Sequence, residues 1–307
     1  MEAWPRIAGR NRPLVRADGS LQFGLEPEHG LRLDGLTAAE MEWVAGLDGT
    51  SDPAATGASA DIAPDRVLAI LRLLQDHLIL QDPPEPTLRW HFPGRSFEHE
   101  VASIPLPGAY AAVLARADTC VRVQGRGALA STITDLLRQA GVGDLERDDL
   151  AATSIQYRRK PDVVVLAIAG PVDPEVGSPW FARGIPHLPV SISASHVSVG
   201  PMVVPGETPC LGCLDLVRTD GDPSWRWLRQ QVEAHGGLAE GESALGAIGA
   251  GLAARLVLAH LDHYPAPPGV GFEVNSPWPE PVARQWPRHV DCTACRTAAQ
   301  TRATMTA

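Results

Sequence analysis

The sequence predicts an α/β protein of two units, a small α+β domain followed by a larger domain of alternating strands and helices stapled by four cysteines. Three observations carry this. Short strands, helices and a closing strand precede a proline-rich segment at 82–95. An apolar strand at Cys120–Gln124 runs into a glycine turn and a helix to Gln139. Two pairs, Cys210-Leu-Gly-Cys213 and Cys292-Thr-Ala-Cys295, close the chain. At 307 residues it can bury two cores.

The first unit, residues 1–82, begins with extended candidates at Pro13–Arg16, Leu21–Leu25 and Gly30–Leu33, with Ala17-Asp18-Gly19-Ser20 as a hairpin turn. A helix starts after Thr37, where Thr37 and Glu40 have capping-box spacing, and Met41, Val44, Ala45 and Leu47 give its apolar stripe. Residues 51–60 read as weakly helical or loop. Pro64 opens a second helix, 65–77, whose Val67, Leu68, Ile70, Leu71 and Leu74 recur at helical spacing. Leu78-Ile79-Leu80 closes as a strand. This is winged-helix order. DNA is a poor partner, because the last helix offers only Arg66 and Arg72 among acidic neighbours. A groove for an extended peptide fits better, along the edge Gly30, Leu31, Arg32 and Leu33 and against Val67, Ile70, Leu71 and Leu74. A purely structural or dimerising role stays open.

After a linker at 83–104, residues 105–300 form the second unit, with a tail at 301–307. A helix is expected over 110–117, then the strand Cys120–Gln124 and the turn Gly125-Arg126-Gly127-Ala-Leu-Ala130. That order is of dinucleotide (Rossmann) type, in which glycines bring backbone close to phosphates at a helix N-terminus. The next strand, near Leu145, is short and charged. Asp162–Ile168 fits a strand buried on both faces. His187–Ile192 and Val197–Val204 follow as strands. Residues 214–234 are helical with a break at Asp222-Pro223, Ser243–His263 is a helix with a small-residue face, and Val270–Asn275 is a late strand. Trp225 and Trp227 read as packing a helix onto the sheet. His260 and His263 suit a helix C-terminus, His196 a hydrogen-bonded turn, and His289 either solvent or a contact with the metal site.

Two residues between cysteines let both sulfurs face one tetrahedral ion, and two such pairs make a closed structural zinc site. It would clip the C-terminal region onto a segment roughly 80 residues upstream, restraining a long loop. Chance pairs or two disulfides are the competing readings. Cys120 reads as a small core residue rather than a nucleophile.

The charge balance, 26 basic against 36 acidic residues and a net −10, argues against nucleic acid or an anionic membrane as main partner. No apolar run approaches a membrane span, no signal peptide is recognisable, and the cysteine spacing is of thiolate type, so a cytoplasmic setting is expected.

Four features in order make residues 105–300 resemble the ThiF/MoeB family, prokaryotic relatives of ubiquitin-activating enzymes. They are the glycine turn, Pro209-Cys210-Leu-Gly-Cys213, the glycine-rich helix from Leu245-Gly-Ala-Ile-Gly249 to Leu258, and the closing Cys-x-x-Cys. The whole chain is most similar to the leader-peptide-binding, cyclodehydratase partner branch of ribosomal-peptide biosynthesis, through His196–Leu216 and through Trp286 and His289. The resemblance implies a homodimer, ATP binding and adenylation of a peptide C-terminus for the family at large. For the branch it implies a precursor or leader peptide presented to a YcaO-type modifying enzyme.

The departures bear on the enzymology. Adenylation needs cations at the phosphates and an Asp for magnesium. Here Arg158, Arg159 and Lys160 are the only cations near the shortened second crossover. Ala130 replaces the third glycine, and Asp162–Ile168 runs into Ala-Gly-Pro-Val-Asp173. Gly125, Gly127, Ala130, Arg158 and Arg159 therefore read as a vestigial nucleotide turn, with ATP and magnesium not expected. The alternative is an active ATP-dependent adenylyltransferase using Gly125, Gly127 and Arg158 or Arg159. No catalytic residue stands out.

Overall fold

The computed structural model describes residues 4–7, 11–25, 30–77, 79–81, 97–104, 108–148, 158–235 and 241–297. The linker at 82–95, Leu78, much of the second crossover and the tail lie outside these. Two compact units are present, Met1–Leu114 and Ala115–Ala307.

In the first unit, β2 (Pro13–Val15), β3 (Leu21–Phe23) and β4 (Leu31–Leu33) form an antiparallel sheet in that order. Asp18 closes the β2–β3 turn by accepting from the Ser20 amide and hydroxyl, at 3.0 and 2.6 Å. Three helices follow, α1 (Ala38–Ala45), α2 (Pro53–Ser59) and α3 (Pro64–Asp76). The α1 capping box is formed: the Glu40 amide donates to Thr37 Oγ1 at 3.2 Å, and the Thr37 amide donates to Glu40 at 2.7 Å. Arg66 donates to Glu40 at 2.6 Å, and with the Thr37 amide it holds that carboxyl below its ordinary pKa. Residues 53–59, open between helix and loop in the sequence, fold as α2, with Asp52 as N-cap and Pro53 at the first turn. The core joins Leu21, Phe23, Leu33, Trp43, Val44, Val67, Ile70 and Leu74. A two-residue β1 (Arg6–Ile7) pairs with β5 (Leu80–Gln81). Helices α4 (Phe97–Ala102) and α5 (Ala109–Ala115) share a small cluster around Val101 and Val113.

The second unit is one seven-stranded mixed sheet, in the order β12-β11-β10-β9-β8-β6-β7. Its strands are β6 (Cys120–Gln124), β7 (Asp144–Asp148), β8 (Val163–Ala169), β9 (His187–Ser193), β10 (His196–Val199), β11 (Val270–Asn275) and β12 (Val282–Gln285). Strands β7, β6, β8 and β9 are parallel, and β9 to β12 are antiparallel. Period-two alternation sorts the side chains to two faces. Val121, Val123, Val163, Val165, Leu188, Val190, Val197, Val199 and Val274 face α6 (Gly127–Gln139) and α10 (Ser243–Leu261). Val164 and Leu166 face α7 (Pro174–Ala182) and α8 (Leu211–Gly221), in the cluster that holds the cysteines. A further helix, α9 (Trp225–Ala234), follows α8.

Several expectations are corrected. The strand expected over 197–204 stops at Val199, where Gly200 takes φ +82°. Helix α7 and strand β12 have no counterpart in the sequence reading; α7 carries Pro179 internally, and β12 is exposed along its length. Helix α9 buries no residue and Trp227 is 67% exposed, so Trp227 packs no helix onto the sheet. By length and composition α10 is apolar enough to cross a membrane, contrary to the reading that no run approaches that length. Its buried side is a core face, since a Cβ on Gly249 would sit 2.4 Å from Val197 Cγ2. The small residues let α10 lie close to β10. Burial lowers the pKa of His260, with His263 adding to the effect, so the end of α10 does not favour a cation there.

One ion pair fastens the unit internally. Arg116 donates to both carboxylate oxygens of Asp262, at 2.7 and 2.6 Å, and to Ala140 O at 3.0 Å, with both side chains buried. Bidentate geometry and the extra carbonyl satisfy charges that would otherwise be costly to bury.

Candidate metal centre and neighbouring sites

Cys210 is the N-cap of α8, Cys213 lies one turn on, and Cys292 and Cys295 come from the segment after β12. All four are buried, and their sulfurs lie within 4.8 Å of one another. The separations are 3.9 Å for Cys210–Cys213, 3.4 Å for Cys210–Cys292 and 3.5 Å for Cys213–Cys295. A tetrahedral ion with sulfurs at about 2.3 Å requires edges of about 3.8 Å. The donor set therefore fits a four-thiolate metal. A disulfide needs sulfurs about 2.05 Å apart, and all four thiols are free.

The helix N-terminus favours negative sulfur. The hydrogen bond from Cys210, with the contact to Cys295 beside it, holds Cys213 well below the ordinary thiol range, while the bond to Cys213 pushes Cys210 up. A bound cation would favour the thiolate form of all four. His289 Nε2 lies 2.8 Å from Asp220 Oδ2 and its Nδ1 accepts from the Asp291 amide, so it pins the second cysteine segment to α8. Trp286, buried beside the cluster, has the guanidinium groups of Arg218 and Arg284 over its ring, at 4.7 and 4.4 Å.

The glycine turn is explained by backbone alone. A Cβ on Gly125 would lie 2.2 Å from Ala167 O, and Gly127 takes φ +79°. Asp148, the acidic residue ending β7, contacts Arg122, which also lies 3.6 Å from Glu146 and 5.7 Å from the Trp180 ring. Gln124, the last residue of β6, accepts from Trp180 Nε1 at 2.8 Å. The structure does not gather the five turn candidates. Gly125, Gly127 and Ala130 follow the C-terminal end of β6, whereas Arg158 and Arg159 precede β8, at the opposite ends of the parallel strands. Arg158 is 88% exposed and lies 3.7 Å from Glu146, while Arg159 donates to Asp118 O. A cation that the sequence reading missed, Arg147, reaches the turn, donating to Ser131 Oγ at 2.7 Å and Gly127 O at 3.3 Å. A charged residue alternating along β7 was its only signal.

Beside the cysteines, α7, α8 and α9 border a cleft of about 810 Å³. Several of its charges are paired: Arg229 lies 2.9 Å from Asp173 and 2.7 Å from Glu233, although its Nε is a buried donor without a hydrogen bond among the described residues, and Asp215 accepts from Arg226 and Trp225. His187, at its floor, is 1% exposed, and burial lowers its pKa to about 4. Cys120 is buried, and burial raises its thiol to about 11. His196 meets Asn275 across the strands, with Nδ1 2.8 Å from Oδ1.

In the first unit, β4 pairs only with β3 among the described residues. Gly30 and Leu31 are partly buried, and Arg32 is tied to Asp34 and Asp18 at 2.8 and 3.3 Å. Val67, Ile70 and Leu74 are core residues, as is Leu33; Leu71 is only partly buried. With Val67 and Leu68 it lines an apolar groove of about 360 Å³ that also takes in Trp4 and Pro53 but none of the β4 residues.

Neither a scan against protein-family models nor a search of curated proteins finds a match. Solved structures do. Escherichia coli MccB with ATP aligns with TM-score 0.71 at 13% identity, over 95% of this chain and 99% of that one. MccB with MccA gives 0.69 at 13% identity, over 95% and 99%. The heterocyclase TruD gives 0.67 at 16% identity, covering 96% of this chain but 43% of TruD. A heterocyclase with substrate and cofactor gives 0.68 at 15% identity, covering 96% and 40%. The chain thus has the fold of MccB and of about two fifths of the heterocyclases.

Proposed function

We propose that this chain is a zinc-stapled, ThiF-like scaffold that binds a precursor (leader) peptide and presents it to a YcaO-type modifying enzyme, without adenylating it. The first unit acts as a winged-helix-like peptide module. A precursor segment adds to β4 through backbone hydrogen bonds, and α3 supplies side-chain selectivity. The fold shared with MccB, solved with MccA, and with a heterocyclase solved with substrate supports peptide handling. The four-thiolate site is occupied by zinc, the protein works as a homodimer, and a reducing cytoplasm keeps its thiols available.

The surroundings of the glycine turn support a reading without adenylation. The acid ending β7, placed where a dinucleotide fold holds a ribose, is engaged by Arg122; Arg158 and Arg159 lie at the far ends of the strands, and Arg147 at the turn is tied to Ser131 and Gly127 O. The test is binding of precursor peptides encoded beside the chain. Amide exchange at 31–33 is expected to slow on binding, and Leu71→Glu to weaken it by about tenfold. Unchanged affinity in a folded Leu71→Glu protein would sink the docking model.

A further inference from the structure

On the sheet face that carries the cysteine cluster, three adjacent strands place polar residues in a row. Ser191 on β9 is the cross-strand partner of Ser198 on β10, and Ser198 is the partner of Glu273 on β11. Ser191, Ser198, Gly200 and Arg218 of α8 line a pocket with about 10 Å³ of free volume, walled by Val172, Pro189, Leu211 and Leu214.

Most polar groups here have partners. Arg284 holds Glu273 at 3.0 and 3.2 Å. Arg226 and Trp225 hold Asp215 at 3.0 and 2.9 Å. The Ser191 hydroxyl donates to Gly170 O at 2.8 Å. Two do not. Ser198 is 7% exposed, and its hydroxyl makes no hydrogen bond among the described residues. The Arg218 guanidinium makes no hydrogen bond or ion pair among them either. It is stacked on Trp225 at 5.1 Å and Trp286 at 4.7 Å, which fixes its plane and leaves its N–H edge as the interacting surface. Burial lowers the Arg218 pKa, as expected of a cation without a touching anion. The Ser198 hydroxyl and the stacked Arg218 guanidinium thus line one pocket as donors without acceptors among the described residues, and a single ligand oxygen can serve both.

We propose that this pocket binds a carboxylate, one oxygen entering between the Ser198 hydroxyl and the Arg218 guanidinium. The free volume admits about one oxygen atom. The edge of a planar guanidinium matches a planar carboxylate. The site lies by the C-terminal ends of β8 and β9, where open α/β sheets take ligands. It belongs to the second unit and stands independently of leader-peptide binding by the first.

The test uses the full-length, metal-loaded protein, titrated with N-acetylglycine, acetate, N-acetylglycinamide and inorganic phosphate, with tryptophan fluorescence and calorimetry as readouts. Both carboxylates bind saturably, and the amide and phosphate do not. Tighter binding of N-acetylglycine than of acetate assigns the site to a peptide terminus, and equal binding assigns it to small acids; either supports the proposal. Arg218→Gln weakens carboxylate binding by about tenfold or more with metal content unchanged, and Arg218→Lys restores part of it. Should Arg218→Gln not fold, Ser198→Ala serves instead, with an expected loss of about three- to tenfold. Equal binding of amide and acid, phosphate binding as tightly, wild-type affinity in the variants, or no saturable carboxylate binding overturns the proposal.

Discussion

The two faces of the seven-stranded sheet are built to different rules. Toward α6 and α10 the strands present valine, leucine and isoleucine almost without exception, and small residues on α10 bring helix and sheet into close contact. Toward α7 and α8 the same strands present Arg122, Gln124, His187, Ser191, Ser198 and Glu273, and the helices add the cysteine cluster and ion pairs. The first face is sealed by packing and the second is held by polar groups and by four cysteines that fit a metal. Free space and unpaired donors are found on the second. A sealed face cannot exchange ligands, so new chemistry on this fold belongs to the other.

The strongest way to break this contrast is to remove the staple. Cys292→Ser is expected to abolish the bound metal, measured by elemental analysis, and to lower Tm by on the order of 10 °C. The sealed face should respond to Arg116→Met, which leaves Asp262 buried and uncompensated, with a loss of about 3–5 kcal/mol in denaturant unfolding and metal content unchanged. Gly249→Val overpacks α10 against Val197 and should cost about 1–3 kcal/mol.

A pH dependence sharpens the comparison at smaller scale. His187 has a folded-state pKa of about 4, below the ordinary 6.5, because burial disfavours its charged form. Its contribution is full above pH 6.5 and is lost as pH falls toward 4, because the unfolded chain takes up the proton first. Between pH 7.5 and 5, His187→Gln should remove about 2 kcal/mol of the wild-type loss, read as the difference between two urea series. Equal pH slopes for the two proteins would contradict a neutral buried His187.

What was legible in the sequence follows from how local each signal is. The cysteine pairs, the Thr37–Glu40 capping box and the strands Cys120–Gln124 and Asp162–Ile168 are set by spacing or by runs of one residue class, and all take shape close to where they were read. Helix α7 was not legible, because Pro179 sits inside it and its first turn is set by Asp173 and Pro174 rather than by an apolar stripe. The glycine turn misled for a physical reason: close approach to Ala167 O demands glycine at 125 just as a phosphate would. Arg158 and Arg159 lie on the crossover that leads into β8, and a parallel crossover returns the chain to the opposite end of the sheet from the turn. The Ser198–Arg218 pocket was invisible, because its lining is assembled from β9, β10 and α8 across long separations.

The central claim is a scaffold that has given up nucleotide chemistry. Its most direct test is calorimetric titration of the full-length, zinc-loaded protein with ATP and magnesium. The account predicts no saturable heat at micromolar nucleotide. Micromolar binding would contradict it and restore the adenylating enzyme.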